Sequence, residues 1–232
     1  MLLPREMFAR SAVAVAPALL GCVLEHETPE GLVAVALTEV EAYDGQADPA
    51  SHAYRGRTPR NAVMFGPPGH AYVYFTYGMH FCVNLVCLPE GSASAVLLRA
   101  GRVVEGEDLA RARRPAAGPG GRGLARGPAR LCQALAITRA QDGADVCDPA
   151  SPLRARWPGP AEAAAGPAGP AELAGGSISH GPRVGVSAAG DVPWRFWITG
   201  DPTVSVYRAH APRRARPKPV SAPARSDGTI PL

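Results

Sequence analysis

The stretch that decides the fold is GLVAVALTEVEAYDG at residues 31–45. Residues 31–37 are apolar and rich in β-branched side chains, which predicts a strand that continues into TEVEAYDG at 38–45. Because side chains alternate along a strand, we expect Glu39, Glu41 and Tyr43 on one face. Two acids and a ring on one face indicate a pocket for general-base chemistry, with one acid left ionised. The alternative is a solvated strand face.

Composition indicates one soluble domain. The chain has 232 residues, of which 46% are hydrophobic, and this is enough for one sizeable core. Residues 11–24 are apolar but interrupted by Pro17, which favours an amphipathic helix ending near Gly21 over a signal peptide or a membrane span.

The cysteines favour a reducing compartment. There are five of them and no C-x-x-C pair, so we expect a cytoplasmic protein, associated with the nucleoid if the source is bacterial. A zinc site from His80, Cys82 and Cys87 is conceivable, but the spacing fits no standard four-ligand pattern. Buried, inert thiols are the favoured interpretation.

The positive charge is clustered. Residues 51–140 hold twelve arginines against four acids, and residues 208–225 hold six cations and no acid. Such clustering is the electrostatic footprint of a polyanion binder. The tail is rich in proline and alanine, so the sequence predicts a folded domain at 1–207 and a disordered basic tail at 208–232.

Residues 70–86 alternate well enough for a β-hairpin that turns around Tyr77, Gly78 and Met79. A ring at the tip is either a stray surface group or a wedge that can enter a base stack. Tyr74 is expected to pack in the core. Asn84, in an apolar strand, needs a hydrogen-bonding reason to be buried.

Further elements follow from shorter patterns. A strand at 95–98 is expected to end in Arg99, which would pair with a carboxylate such as Glu41 or contact a phosphate. Helices are predicted at 105–113 and 129–137, and the stretches rich in glycine, proline and alanine at 115–128 and 158–176 are predicted to be long loops.

The motifs together resemble those of the alkyladenine (3-methyladenine) DNA glycosylase family. The matching pieces cover most of residues 8–207 in this order: LLGCVL at 19–24, TEVEAYDG at 38–45, DPASHAYRGRTPRNAVMFGPPG at 48–69, YVYFTYGMHFCVN at 72–84, VLLRAG at 96–101, GPARLCQAL at 127–135, RVGVS at 183–187 and PWRFWITGDPTVS at 193–205.

The resemblance implies an α+β single domain with a curved antiparallel β-sheet, surrounding helices and a protruding, DNA-intercalating β-hairpin. It implies base-excision repair, in which a damaged purine is flipped out of duplex DNA and its N-glycosidic bond is hydrolysed. The implied partner is double-stranded DNA containing alkylated or deaminated purines. No metal, other cofactor or membrane is expected, and the enzyme is expected to be a monomer.

The resemblance also implies residue roles. Glu41 is implied to be the general base, Arg99 to orient the water, and the backbone carbonyl of Val186 to help hold that water. Tyr43, His52 and Tyr74 are implied to contact the flipped base, and Asn84 to exclude guanine. Tyr77, with Met79 beside it, is implied to intercalate into the DNA. From the charge clustering, we expect phosphate contacts at Arg55, Arg57, Arg60 and Arg130.

Three other functions compete with this interpretation. A carbohydrate hydrolase would need two acids on opposite sides of the sugar, whereas Glu39 and Glu41 point the same way. A glycosylase with lyase activity needs an amine, and the only lysine is Lys218 in the tail, which favours a monofunctional enzyme. A non-catalytic relative that binds damaged DNA would not need Glu41 and Arg99.

Overall fold

The computed structural model describes residues 1–76, 78–164 and 178–209. The helices within these ranges are α1 (Arg5–Phe8), α2 (Ala12–Leu19), α3 (Glu107–Arg113), α4 (Pro128–Ala134) and α5 (Pro160–Ala164). The strands are β1 (Val23–Thr28), β2 (Gly31–Tyr43), β3 (Ala71–Thr76), β4 (His80–Cys87), β5 (Ser94–Glu105), β6 (Leu153–Arg156), β7 (Ile178–Gly181) and β8 (Arg195–Ile198).

The eight strands form one open antiparallel sheet. Its main path runs β3-β4-β5-β2-β1-β6, while β8 pairs with β2 and β7 pairs with β8. The long strand β2 carries β5 along one edge, and its other edge is shared by β1 over the first half and β8 at Glu39, Val40 and Glu41. This α+β architecture confirms the predicted fold class.

Helices α2 and α4 cover one face of the sheet. Ala12, Val15, Ala16 and Leu19 are buried on α2, which is the i, i+3, i+4, i+7 spacing of an amphipathic helix. The predicted helix near residues 11–24 is therefore confirmed, with its last residue at Leu19. Within the described residues, no helix is long and apolar enough to cross a bilayer.

A bulge in β2 sends its two acids to the face away from the helices. Val33, Val35 and Leu37 belong to the main core, but after the bulge the core residues are Val40 and Ala42. The pairing with β5 shifts on both sides of Glu39. Because side chains alternate along a strand, the one extra residue of a bulge moves each later side chain to the opposite face of the sheet. Glu39, Glu41 and Tyr43 thereby escape the helix-covered core.

The other predicted elements are mostly confirmed. The hairpin is formed by β3 and β4, and the two predicted helices are α3 and α4. The predicted strand at 95–98 was too short, because β5 continues to Glu105 and places Arg99 within the strand. The prediction of a loop over 158–176 was wrong at Pro160–Ala164, which is helix α5, and residues 165–176 lie outside the described ranges.

Candidate active site

A cavity of about 490 Å³ lies on the face of the sheet that carries the acids. Its volume is in the range typical of small-molecule sites, roughly 300–1,000 Å³. It is lined by Tyr43, Pro49, Ala50, His52, Met64, Tyr72, Tyr74, Thr76, Cys82, Asn84, Leu97, Arg99, Pro128, Val184, Gly185, Val186 and Ser187. The structure therefore brings together the predicted groups from β2, the hairpin, β5 and the segment after β7.

Glu41 lies behind this cavity and is fully buried. Its Oε1 accepts a hydrogen bond from the Val184 backbone N–H at 2.7 Å, and Arg99 Nη1 lies 3.2 Å from the same oxygen. The Tyr43 hydroxyl donates to Oε2 at 2.8 Å. All three partners line the cavity. The carboxylate charge is thus compensated by three donors at the edge of the pocket, as a buried charge requires.

Arg99 is held between two carboxylates. Its Nε donates to Glu39 Oε1 at 2.7 Å, while its Nη1 pairs with Glu41. Burial alone would lower the pKa of Arg99, but Glu41 and Glu39 outweigh it and raise that pKa. Of the two expectations for Arg99, the structure shows the pairing with a carboxylate, because its buried guanidinium contacts both Glu41 and Glu39.

Glu39 is an anchor rather than a pocket group. Besides Arg99 it accepts a hydrogen bond from Arg195 Nε at 2.8 Å and two from Ser205, from the backbone N–H at 2.6 Å and the hydroxyl at 2.8 Å. Burial acts to raise the pKa of Glu39, but Arg99 and Arg195 outweigh it, so the pKa is lowered. Glu39 thus ties residues 195–205 to the strand that carries Glu41.

Tyr43, His52 and Tyr74, the side chains expected to contact the base, all line the cavity, and their contact with a base stays a prediction. The His52 ring packs edge-on against Tyr74, with centroids 4.6 Å apart, and Tyr74 stacks on Tyr72 at 5.7 Å. Burial, reinforced by Glu41, raises the pKa of Tyr43 well above its ordinary value. Burial lowers the pKa of His52, and the charge of Arg60 lowers it further. At neutral pH the pocket therefore presents a neutral phenol and a neutral imidazole.

Asn84 and Val186 also line the cavity. The Asn84 amide donates to the Tyr72 carbonyl at 3.2 Å, which is the hydrogen-bonding reason expected for its burial. The water-holding role of the Val186 carbonyl stays a prediction. All five cysteines are free, and four of them are buried. In the described part of the chain, no three histidines, cysteines or acids are grouped to hold a metal ion.

The predicted DNA-contacting residues lie at the surface where the structure describes them. Met79 is 68% exposed in the turn between β3 and β4. Tyr77 lies outside the described residues. The four arginines expected to contact phosphates are all exposed: Arg55, Arg57, Arg60 and Arg130.

Sequence reasoning missed a buried ion pair beside the pocket. Arg183 Nη2 donates to Asp48 Oδ1 at 2.9 Å, Nη1 donates to the other carboxylate oxygen, and Nη1 also donates to the Ala42 carbonyl at 3.0 Å. The Arg183 guanidinium lies over the Tyr43 ring, 4.7 Å from its centroid. Both charged residues fall in matched motifs, but no local pattern links positions 135 residues apart.

Comparison with known proteins decides the family. A family model described as methylpurine-DNA glycosylase matches residues 6–202. The chain belongs to the methylpurine-DNA glycosylase family. Family membership confirms the resemblance seen in the sequence and makes the chain a DNA glycosylase, an enzyme that cleaves N-glycosyl bonds.

Similar proteins carry the name "Putative 3-methyladenine DNA glycosylase". One from Streptomyces avermitilis is 58% identical over 92% of this chain and 95% of its own length. One from Frankia casuarinae is 52% identical over 91% of this chain and 94% of its own. One from Leifsonia xyli subsp. xyli is 50% identical over 89% of this chain and 92% of its own length. The match covers nearly the whole length of each of these three relatives.

Proposed function

We propose that this chain is a monofunctional repair glycosylase that flips alkylated or deaminated purines out of duplex DNA and hydrolyses their N-glycosidic bond with a water activated by Glu41. The observation that carries the proposal is the buried Glu41 carboxylate, whose three donors, Tyr43, Arg99 and Val184, all line the cavity. The names of the relatives support 3-methyladenine as one substrate.

The lining of the cavity suits a flipped, cationic base. Tyr43, His52 and Tyr74 offer ring faces and edges, and aromatic rings attract a cation by roughly 0.5–2 kcal/mol. A purine alkylated at N3 or N7 carries a positive charge. Stacking in the pocket also offsets the few kcal/mol that extrusion from the duplex costs, a cost that is lowest for damaged or mismatched bases.

Hydrolysis needs one base and one electrostatic partner for the sugar. In the proposed step, the water oxygen bonds to C1′ of the sugar, the C1′–N bond breaks, and its electron pair leaves with the alkylated purine. Glu41 takes the proton from the water, and its charge stabilises the oxocarbenium character that develops at the sugar. Arg99, fixed on its other side by Glu39, orients Glu41 and the water. An alkylated purine leaves as a neutral molecule.

We expect the reaction to leave abasic sites in the DNA and not strand breaks. A lyase step needs an amine that forms a Schiff base with the sugar. The only lysine in the chain is Lys218, which lies outside the described residues and beyond the matched motifs.

DNA is proposed to lie across the cavity mouth. The exposed Arg55, Arg57 and Arg60 follow His52 along the chain, and Arg130 lies two residues beyond the pocket-lining Pro128. Such exposed cations are suited to phosphates, which carry most non-specific affinity for DNA. The hairpin tip, with Met79 and the undescribed Tyr77, is proposed to take the place of the flipped nucleotide. We propose that one copy of the chain suffices.

The deciding experiment is base release from defined DNA. Duplexes carrying one 7-methylguanine, hypoxanthine or ethenoadenine are incubated with excess protein, and strand cleavage is measured with and without alkali. Free 3-methyladenine is measured chromatographically from DNA treated with a methylating agent. Base release with alkali-dependent cleavage supports the proposal, and cleavage without alkali would overturn the monofunctional assignment. Binding of lesion DNA without release of any base would favour the non-catalytic alternative.

A further inference from the structure

Arg183 is a buried cation that the proposed reaction does not use directly. It is 1% exposed and follows β7 in the segment whose next residues, 184–187, line the cavity. Its charge is compensated by Asp48, which approaches from the segment after β2. Its Nε has no hydrogen-bond partner among the described residues. A buried cation with an unpaired donor costs stability, so apolar packing alone would be better served by another side chain.

The contacts of Arg183 converge on the partners of Glu41. The guanidinium lies over the Tyr43 ring at 4.7 Å and over the Trp194 ring at 5.3 Å. The Tyr43 hydroxyl donates to Glu41 at 2.8 Å. The backbone N–H of Val184, the next residue along the chain, donates to the other Glu41 oxygen at 2.7 Å. Two of the three groups that hold Glu41 are therefore in contact with Arg183 or bonded to it.

We infer that Arg183, clamped by Asp48, is a positioning residue that fixes the base-stacking ring of Tyr43 and the orientation of the Glu41 carboxylate before DNA binds. The inference rests on the proposed function, because it assigns Tyr43 and Glu41 the roles given there. Arg183 itself touches neither the base nor the water. Fixing charges and rings in advance removes the cost of reorganising them during the reaction.

A planar guanidinium is required for this role. It donates from two nitrogens to Asp48 and the Ala42 carbonyl while its flat face packs against aromatic rings. Lysine keeps the charge, but it offers neither the fork of donors nor a flat face. Arg183→Lys therefore separates the positioning role from simple charge compensation of Asp48.

The test compares Arg183→Lys with Arg156→Lys in the full chain. Arg156 also pairs with a carboxylate through a forked contact, to Glu162 at 2.6 and 2.7 Å, but it lies on β6 away from the cavity. Both variants are measured for thermal unfolding, for affinity to undamaged duplex, and for single-turnover release of the lesion that wild type releases fastest. Excess enzyme at saturating concentration removes binding from the rate.

We expect Arg183→Lys to lower the saturated single-turnover rate by about 10- to 100-fold, the scale of a small misplacement of reacting groups. Affinity for undamaged duplex should stay within about twofold, because the phosphate-contacting arginines are untouched. Arg156→Lys should keep the wild-type rate even if it lowers the melting temperature. A saturated rate of Arg183→Lys equal to wild type would overturn the inference.

A double-mutant cycle tests the route through Tyr43. If Arg183 acts on the ring, the effects of the two substitutions on the saturated rate are coupled and do not add. The fold-decrease in that rate caused by Arg183→Lys should then be at least about threefold smaller in a Tyr43→Ala background than in wild type. Additive effects would overturn that route. If Arg183→Lys does not fold, Asp48→Asn is measured instead, and an unchanged saturated rate there overturns the inference.

The failure of this inference is distinguishable from failure of the proposed function. Wild type that releases bases, together with an unaffected Arg183→Lys, removes only the positioning role. If the wild-type protein releases no base, both the proposed function and the positioning role of Arg183 are refuted.

Discussion

Changing Glu41 to Gln tests the proposed general base with little change of shape. The Gln Oε1 can keep the bonds from Val184 and Arg99, and its amide can donate to the Tyr43 oxygen, since a phenol both donates and accepts. What disappears is the negative charge. Replacing charge-assisted bonds by neutral ones costs about 1–2 kcal/mol. Arg99 keeps its ion pair with Glu39 at 2.7 Å, so its buried charge is not left without a partner and the loss stays limited.

These figures give a small effect on folding and a large effect on rate. One kcal/mol corresponds to about 2–4 °C in melting temperature for a chain of this size, so we expect a drop of less than about 8 °C. Loss of a general base costs about 10²–10⁴-fold, and loss of charge stabilisation adds to it. We therefore expect base release by Glu41→Gln to fall by about 10³-fold or more.

The assay is single-turnover release with excess enzyme on a lesion duplex, with abasic sites cleaved by alkali. Duplex affinity is measured in parallel and should survive, because Glu41 is fully buried and contacts no phosphate. Glu25→Gln is the matched control, since Glu25 is a buried strand carboxylate paired with Arg154 and Arg156 on the β1–β6 side. Release by Glu41→Gln within about tenfold of wild type would refute the general-base reasoning.

Four further outcomes follow. Tyr77→Ser should weaken binding of lesion duplexes with little change in melting temperature, and a large loss of stability would show instead that the ring belongs to the core. Arg60→Ala should weaken damaged and undamaged duplex alike and reduce the slope of log affinity against log salt by about one unit, and a loss confined to damaged duplex would contradict the phosphate role. Deleting residues after Arg208 should lower non-specific affinity and keep the saturated rate, because the tail follows every matched motif; a lost rate would move the domain boundary proposed at residue 207. Although burial acts to raise it, the pKa of Asp48 is lowered by Arg183, so this ion pair stabilises the fold above the ordinary value of 3.8 and is lost as pH falls below it. Melting temperature measured from pH 6 to pH 3 should therefore fall less steeply for Asp48→Asn than for wild type, and parallel slopes would contradict the lowered pKa.

Much of the site was predictable because its signals are local. The alternation in residues 31–45 predicts β2 with Glu39, Glu41 and Tyr43 together, and the structure confirms it. The prediction that Asn84 needs a hydrogen bond in its apolar strand is confirmed by its bond to Tyr72. The short strands β6, β7 and β8 could not be predicted, because each has only four residues and too few alternations to recognise.

The amino-acid sequence by itself determined the long strand β2, the β3–β4 hairpin and helices α2, α3 and α4, because period and composition act over a few residues. It also determined that Glu39, Glu41 and Tyr43 share a strand face. Only the tertiary structure decided that the face carrying Glu41 turns away from the helices, since that depends on a bulge set by pairing with β5. The same is true of the clamp between Asp48 and Arg183. The attraction between these two charges becomes strong only when folding removes both from water. The residues between them in the sequence do not indicate that the two side chains will meet in the fold.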